Sequence, residues 1–253
     1  MIANYHTHTA RCGHAHGAER EYVETAIARG VKILGFADHA PHMYPGGYES
    51  GIRMPMNLLE DYVDAVNAVR KEYSDEIEIH LGLEAEYYPD CFESLIKCVK
   101  DYKIEYLLLA QHYLGNEIGE PYITQPKNNP EFLKRYCRQV TEAMETGAFT
   151  YFAHPDIIHD MGETELFTQE MHKLCQTANR CGLMLEINLL GIRDNRHYPN
   201  EAFWKIAGEE GCCVILGADA HVPEDVCRAE DIARAHKLVE KYHLNLVDTI
   251  NLR

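Results

Sequence analysis

Seven short apolar runs alternate along this chain with longer stretches in which apolar residues recur at three- and four-residue steps. The runs read as strands at about 2–8, 33–39, 78–86, 106–113, 150–154, 183–190 and 212–219. Ile33-Leu34-Gly35-Phe36-Ala37 and Tyr106-Leu107-Leu108-Leu109-Ala110 are continuous in hydrophobic character, as strands buried on both faces are. Between the runs the spacing predicts helices. Asn57 stands as an N-cap before the stripe Leu59, Tyr62, Val63, Val66, Val69 and Tyr73. Asn129-Pro130 is a cap followed by a first-turn proline, and Gly147 sits where that helix should stop. Further helices are predicted at about 18–29, 91–101, 168–181, 200–210 and 224–242.

Strand and helix thus alternate seven times, which calls for parallel strands joined by helical crossovers. The expectation is one α/β domain over residues 1–253, a closed or nearly closed seven-stranded (β/α)7 TIM-like barrel, with an open doubly wound sheet as the alternative. The polar residues favour the barrel. Almost every run ends on a histidine or a carboxylate, and barrel sites are built at the carboxyl ends of many strands, whereas an open sheet gathers its ligands mainly at one switch point.

Composition adds little to the fold but narrows the function. Hydrophobic residues make up 46% and charged residues 25%, with no Pro/Gly/Ser-rich linker to suggest a second domain. The N-terminus lacks a basic stretch followed by an apolar one and no run reaches eighteen apolar residues, so neither export nor membrane spanning is expected and a cytoplasmic location is. Nine scattered cysteines predict reduced thiols; Cys12, between His8 and His14, is the one placed to act as a thiolate ligand. The net charge of −16 counts against a long nucleic-acid partner. A small phosphorylated substrate stays compatible, because several divalent cations in one pocket invert its potential. The pattern specifies no oligomeric state.

The candidate ligands, in chain order, are His6, His8, His14, His39, Glu84, His112, His154, Asp219 and His221. Side chains two apart on a strand share a face, so His6 and His8 can share an ion. Any one strand-end histidine can simply hydrogen-bond a loop. Nine such groups on one rim exceed what a single tetrahedral or octahedral ion needs, and imply two or three divalent ions, Zn, Mn or Fe, bridged by at least one carboxylate.

These residues carry a resemblance. His6-Thr7-His8-Thr9 with Cys12-Gly13-His14, Asp38-His39-Ala40-Pro41, Gly82-Leu83-Glu84, Gln111-His112-Tyr113-Leu114, Ala153-His154-Pro155, Glu186-Ile187-Asn188, and Gly217-Ala218-Asp219-Ala220-His221 with Pro223-Glu224-Asp225 span the chain. In this set and order the sequence resembles the polymerase and histidinol phosphatase (PHP) family, in its histidinol-phosphatase-like branch. The resemblance implies the distorted seven-stranded barrel and three metal sites. His6, His8, Glu84 and Asp219 would hold the first ion, Glu84 as a bridge with His112 and His154 the second, and His14, His39 and His221 the third. His14 matches the family position better than His16. Arg193 resembles a phosphate-gripping arginine of the family, and a guanidinium can take two phosphate oxygens at once. A loop arginine paired with Asp194 or Glu201 is the competing reading.

Glu186 and Asn188 share a strand face, either orienting a ligand histidine or forming a buried polar pair. Arg196, His197 and Arg53 are weaker candidates for the rim. His42, His80, His159, His172, His236 and His243 read as surface or packing residues. The resemblance implies metal-dependent hydrolysis of a small phosphate monoester by a metal-bridging hydroxide, with Glu84 and Asp219 at its centre and Asp160, His159 or His197 near the leaving group. L-histidinol phosphate, in histidine biosynthesis, is the foremost substrate. A nucleotide, a short oligonucleotide or a phosphotyrosyl protein is the alternative, and a non-catalytic metal-stabilised domain the third reading. The family's second phosphate-binding arginine, expected soon after His154, is missing from Pro155-Asp156-Ile157-Ile158-His159-Asp160-Met161. That departure bears on substrate choice, not on phosphoester chemistry.

Overall fold

The computed structural model describes residues 1–159 and 165–252. It contains one sheet of eight parallel strands whose spatial order follows the chain. They are β1 (Ala3–Asn4), β2 (Ile33–His39), β3 (Glu78–Ala85), β4 (Tyr106–Leu109), β5 (Tyr151–Phe152), β6 (Met184–Asn188), β7 (Cys213–Gly217) and β8 (Asn245–Leu246). The helices are α1 (Glu19–Ala28), α2 (Leu59–Glu72), α3 (Phe92–Asp101), α4 (Pro130–Glu145), α5 (Glu165–Cys181), α6 (Leu189–Arg193), α7 (Glu201–Glu209) and α8 (Ala229–Tyr242).

The sequence predicts seven strands, and the eighth is the addition. β8 is two residues long with Asn245 exposed, too short and polar to leave an apolar signature, and it pairs with Cys213 and Val214 of β7. β1 is shorter than the predicted run, ending at Asn4. A parallel bridge between Thr7 and Ala220 then joins the segment after β1 to that after β7. Asn129 caps α4 as expected, accepting hydrogen bonds from the backbone N–H groups of Glu131 at 3.0 Å and Phe132 at 3.3 Å. Asn57 does not cap α2. It lies in a 3-10 turn, Met56–Leu58, and α2 starts at Leu59 with no side-chain cap. α8 starts at Ala229, later than predicted, after a 3-10 turn at Pro223–Asp225.

The continuous hydrophobic runs split into two cores by strand parity. Leu34, Phe36, Leu81, Leu83, Leu107, Leu109, Leu185 and Ile187 face the helices. Ala3, Tyr5, Ala37, Tyr106, Leu108, Tyr151, Ala153 and Ile215 fill the concave side. Tyr106 makes the floor there: its hydroxyl donates to the carbonyls of Tyr5 (2.8 Å) and Phe36 (3.1 Å), over Gly35 and Gly82, where a Cβ would collide with its ring or hydroxyl. Continued along the strands, the inward parity passes from apolar to polar: Ala37 to His39, Gly82 to Glu84 and Glu86, Leu108 and Ala110 to His112, Met184 to Glu186 and Asn188. All nine cysteines are free thiols. No helix among the described residues is long and apolar enough to cross a membrane.

Candidate metal centre

The polar continuation of the strands builds a cleft of about 540 Å³ whose lining includes His14, His39, Glu84, His112, His154 and Asp219. Glu84 is its hub. A ring nitrogen of each of five histidines lies within 4 Å of its carboxylate: His6 (3.4 Å), His8 (3.6 Å), His39 (2.8 Å), His112 (3.9 Å) and His154 (2.8 Å). Asp219 adds a second carboxylate, 3.1 Å from His8 Nε2 and 3.7 Å from His6 Nε2. His14, absent from the Glu84 shell, meets His39 and His221 on the outer side, with ring centroids 5.2 and 4.9 Å away.

Three further carboxylates hold the far sides of the rings. Glu186 Oε2 is 2.8 Å from His6 Nδ1, Asp38 Oδ1 is 3.4 Å from His8 Nδ1, and Glu86 Oε1 is 2.6 Å from His112 Nδ1. Each bond turns the Nε2 of its ring toward Glu84. A carboxylate behind a histidine in this way fixes the tautomer and orientation that a metal ligand needs. Glu186 is thereby placed as an orienting partner for His6, and Asn188 secures it, donating to Glu186 Oε1 (2.8 Å) and Asp219 Oδ2 (3.0 Å). Sequence reasoning gave no role to Glu86 or Asp38. Glu86 had a signal, since it follows Glu84 by two residues and shares its strand face. Asp38 had none beyond its neighbour His39.

The arrangement leaves buried polar atoms without hydrogen bonds: His6 Nε2, His8 Nε2, His39 Nδ1, His154 Nδ1 and Glu84 Oε2. His39 Nδ1 and Glu84 Oε2 are 2.8 Å apart yet off each other's hydrogen-bonding directions. Buried polar atoms are almost always paired, so convergent orphans of imidazole and carboxylate type fit divalent cations. Among the described residues, donor atoms within 4.8 Å of one another form the groups His6–His8–Asp219, His14–His39–His221, His6–Glu84–His154, His8–His39–Glu84 and His8–Cys12–His221. His112 stands outside these groups, beside His154 at 5.1 Å between ring centroids. Two positions carry backbone strain: His154 (φ +32°) and Asp219 (φ +47°) are non-glycine residues in the left-handed region, where the chain turns sharply into the cleft.

Charge in the cluster is strongly coupled. Burial opposes ionisation of Glu84, but His39, His6 and His154 more than offset it and hold the carboxyl well below the usual range. Asp219 is lowered in the same way by His6, His8 and His221. Burial drives His39 down to about 4 and His221 to about 3, the latter helped by the charge of His8, so both rings are neutral and ready to donate a lone pair near pH 7.

Arg193, on the short helix that Asn188 caps, lines the cleft with its side chain nearly buried. It pairs with Asp225 at 3.1 Å and stands 3.8 Å from both Asp194 and Asp231; Glu201 instead binds Lys241 and Tyr242. Its Nη1 has no hydrogen bond. Arg196 also lines the cleft, held by Asp194 (2.9 Å) and the hydroxyl of Tyr198 (2.9 Å). Arg53 lies elsewhere, buried in an ion-pair cluster. His16 is exposed and outside the ligand groups. His159 and His197 stack at 4.0 Å and bond the carbonyls of Thr124 and Ile157, bracing loops. Asp160 and Met161 lie outside the described residues. His42, expected at the surface or in packing, is fully buried against Tyr88.

Residues 4–189 match the PHP domain. The chain belongs to the PHP domain family. A probable histidinol-phosphatase of Deinococcus radiodurans is 30% identical over 240 residues, covering 89% of this chain and 88% of that protein. A histidinol-phosphatase of Bacillus subtilis is 30% identical over 87% of this chain and 94% of its own length. Among solved structures, the histidinol phosphate phosphatase of Lactococcus lactis complexed with zinc, L-histidinol and phosphate superposes with a TM-score of 0.77 at 19% identity, covering 99% of this chain and 97% of that one. This PHP protein is therefore a metal-dependent phosphatase of the histidinol-phosphatase-like branch.

Proposed function

We propose that this phosphatase hydrolyses L-histidinol phosphate to L-histidinol and phosphate, at a site of three divalent ions. The observation that carries the reading is the Glu84 hub with its orphaned buried donors, a ligand set too large for one ion. His6, His8, Glu84 and Asp219 would hold one ion, Glu84, His112 and His154 a second, and His14, His39 and His221 a third. The groups His6–His8–Asp219 and His14–His39–His221 support the first and third assignments directly. The approach of both His112 (3.9 Å) and His154 (2.8 Å) to Glu84 Oε1 supports the second. Divalent ions bound there supply positive charge to the phosphoryl oxygens and lower the pKa of water toward neutrality.

The chain's own residues do the rest. Glu186, Asp38 and Glu86 keep His6, His8 and His112 in register, so little reorganisation accompanies the reaction. Arg193, which lines the cleft and is held by Asp225, meets phosphate oxygens there. Arg196 supplies the second guanidinium that the segment after His154 lacks. The branch relatives named histidinol-phosphatase support the choice of substrate.

A panel of phosphate esters, run with elemental analysis of the same chelator-free sample, tests both halves of the proposal. Fast phosphate release from histidinol phosphate, slow release from nucleotides and phosphotyrosyl peptide, and about three ions per chain are the expected results. Preference for a nucleotide would overturn the substrate, and no more than one tightly bound ion would overturn the three-ion site.

A further inference from the structure

Arg53 sits at the end of the segment 40–56, and only 4% of its surface is exposed. Its guanidinium reaches two carboxylates that belong to different parts of the fold. One is Glu117, 3.0 Å from Nε and 2.9 Å from Nη2, in the loop after β4. The other is Glu86, bonded through Nη1, at the end of β3. The hydroxyls of Tyr44 (3.1 Å) and Tyr88 (3.0 Å) accept from Nε and Nη2, so all three guanidinium nitrogens are engaged.

Glu86 is the link to the metal cleft. Its Oε2 is taken by Arg53 and approached by His42 Nε2 at 3.4 Å, which leaves Oε1 for His112 Nδ1 at 2.6 Å. Arg53 and His42 thus engage one oxygen of Glu86 while the other meets His112. The two residues before it, Gly51 and Ile52, line the metal cleft, while Arg53 itself lines a separate cavity of about 810 Å³ behind that wall. One side chain thus anchors the cleft wall and the orientation of a cleft histidine.

We propose that Arg53 is a positioning residue: through Glu86 it fixes the ring of His112 and so sets the affinity of the ion that His112 holds. The proposal rests on His112 being a metal ligand. A guanidinium suits the task because a fixed planar fork can bind Glu86, Glu117 and Tyr88 in one geometry, which an ammonium cannot. An arginine that merely tied down the loop would need Glu117 and the tyrosines but not Glu86.

The test is a set of ion-affinity measurements by competition with a chromophoric chelator, using zinc and the full chain. Arg53→Lys keeps the charge and loses the fork. It is expected to weaken the ion that His112 holds by about 10- to 100-fold, the range for partners that orient ligand histidines. His112→Ala should weaken the same ion, and Arg53→Lys added to His112→Ala should cost nothing further, because both act on one ligand. Glu117→Gln removes the charge on the loop side of the clamp while leaving the Arg53–Glu86 contact, and should bind zinc like the wild type. Unchanged affinity in Arg53→Lys, additive losses in the double variant, or an equal loss in Glu117→Gln would each overturn the positioning role. Circular dichroism of each variant separates lost affinity from lost fold; an Arg53→Lys chain that is unfolded with zinc present would make Arg53 a stability residue and also overturn it. A wild-type chain that binds no zinc would instead refute the metal site itself.

Discussion

At the scale of single residues, Glu84 differs from the other predicted ligands in kind. Five histidines approach its two oxygens, so removing its charge disturbs every side of the cluster, whereas His14 lies at the edge with its exposed ring near His39 and His221. Glu84→Gln keeps the shape and loses one charge. It is expected to lower kcat by about 10³-fold or more, of the order of about 4 kcal/mol in barrier, and to drop at least two ions from the elemental count. His14→Ala is expected to lose one ion and about 10- to 100-fold in kcat. Equal losses in steady-state rate and ion count for the two variants would contradict the bridging position of Glu84. In the sequence only the family resemblance sets Glu84 apart from Asp219, as a bridge; its residue spacing does not, and its central place is a matter of distance, since β3 lies between the strands that lead to His39 and His112.

At the scale of elements, the parity of the strands carries the site, and Gly217 shows how narrowly. A Cβ there would stand 2.1 Å from Glu186 Oε2, the atom that holds His6 Nδ1. Gly217→Ala is expected to push Glu186 off His6, costing about 1–3 kcal/mol of stability by overpacking and about 10- to 100-fold in affinity for the ion at His6. Urea unfolding and ion competition on the same preparation read both effects; a variant unchanged in each would show that Glu186 does not need its place over β7. This dependence of one strand's glycine on another strand's carboxylate explains what was legible beforehand. The apolar runs located β1 through β7, and their polar ends located the candidate ligands, because the concave face of the sheet turns from apolar to polar along a single parity. The partners Asp38 and Glu86 escaped notice because they act on ligands from other strands, a relation in space that spacing does not encode. Asn57 misled because it lies inside a 3-10 turn, Met56–Leu58, that runs directly into α2 at Leu59. The strand β8 and helix α6 are too short for periodicity to register.

For the whole molecule, the proposed ions would serve the fold as well as the chemistry. The cluster gathers buried donors that have no partners of their own, so an ion-free chain carries the desolvation cost of those atoms. An ion at a free concentration about 1,000 times its Kd stabilises the native state by about 4 kcal/mol. For a chain of this size that is a Tm shift of about 10 °C per ion. Chelation followed by differential scanning calorimetry should show a fall of at least that size, reversed by zinc; an unchanged Tm would mean that the ions contribute nothing to the fold. Protons compete for the same atoms. Burial disfavours charge on His6 and His8, but Glu186, Asp219 and Glu84 around His6, and Asp219 and Asp38 around His8, raise both rings well above the usual 6.5. In the ion-free chain these two rings therefore carry protons at pH 7, while His39 and His221 do not. An ion entering the His6–His8–Asp219 position must expel those protons, whereas one entering the His14–His39–His221 position finds two of its rings already neutral. Raising the pH removes the competing protons, so affinity at the first position should climb steeply from pH 6 to 8. Titration calorimetry in buffers of different ionisation enthalpy should count on the order of two protons released at the first position near pH 7 and fewer at the third. Equal proton release at both would contradict the protonated state of the His6–His8 pair.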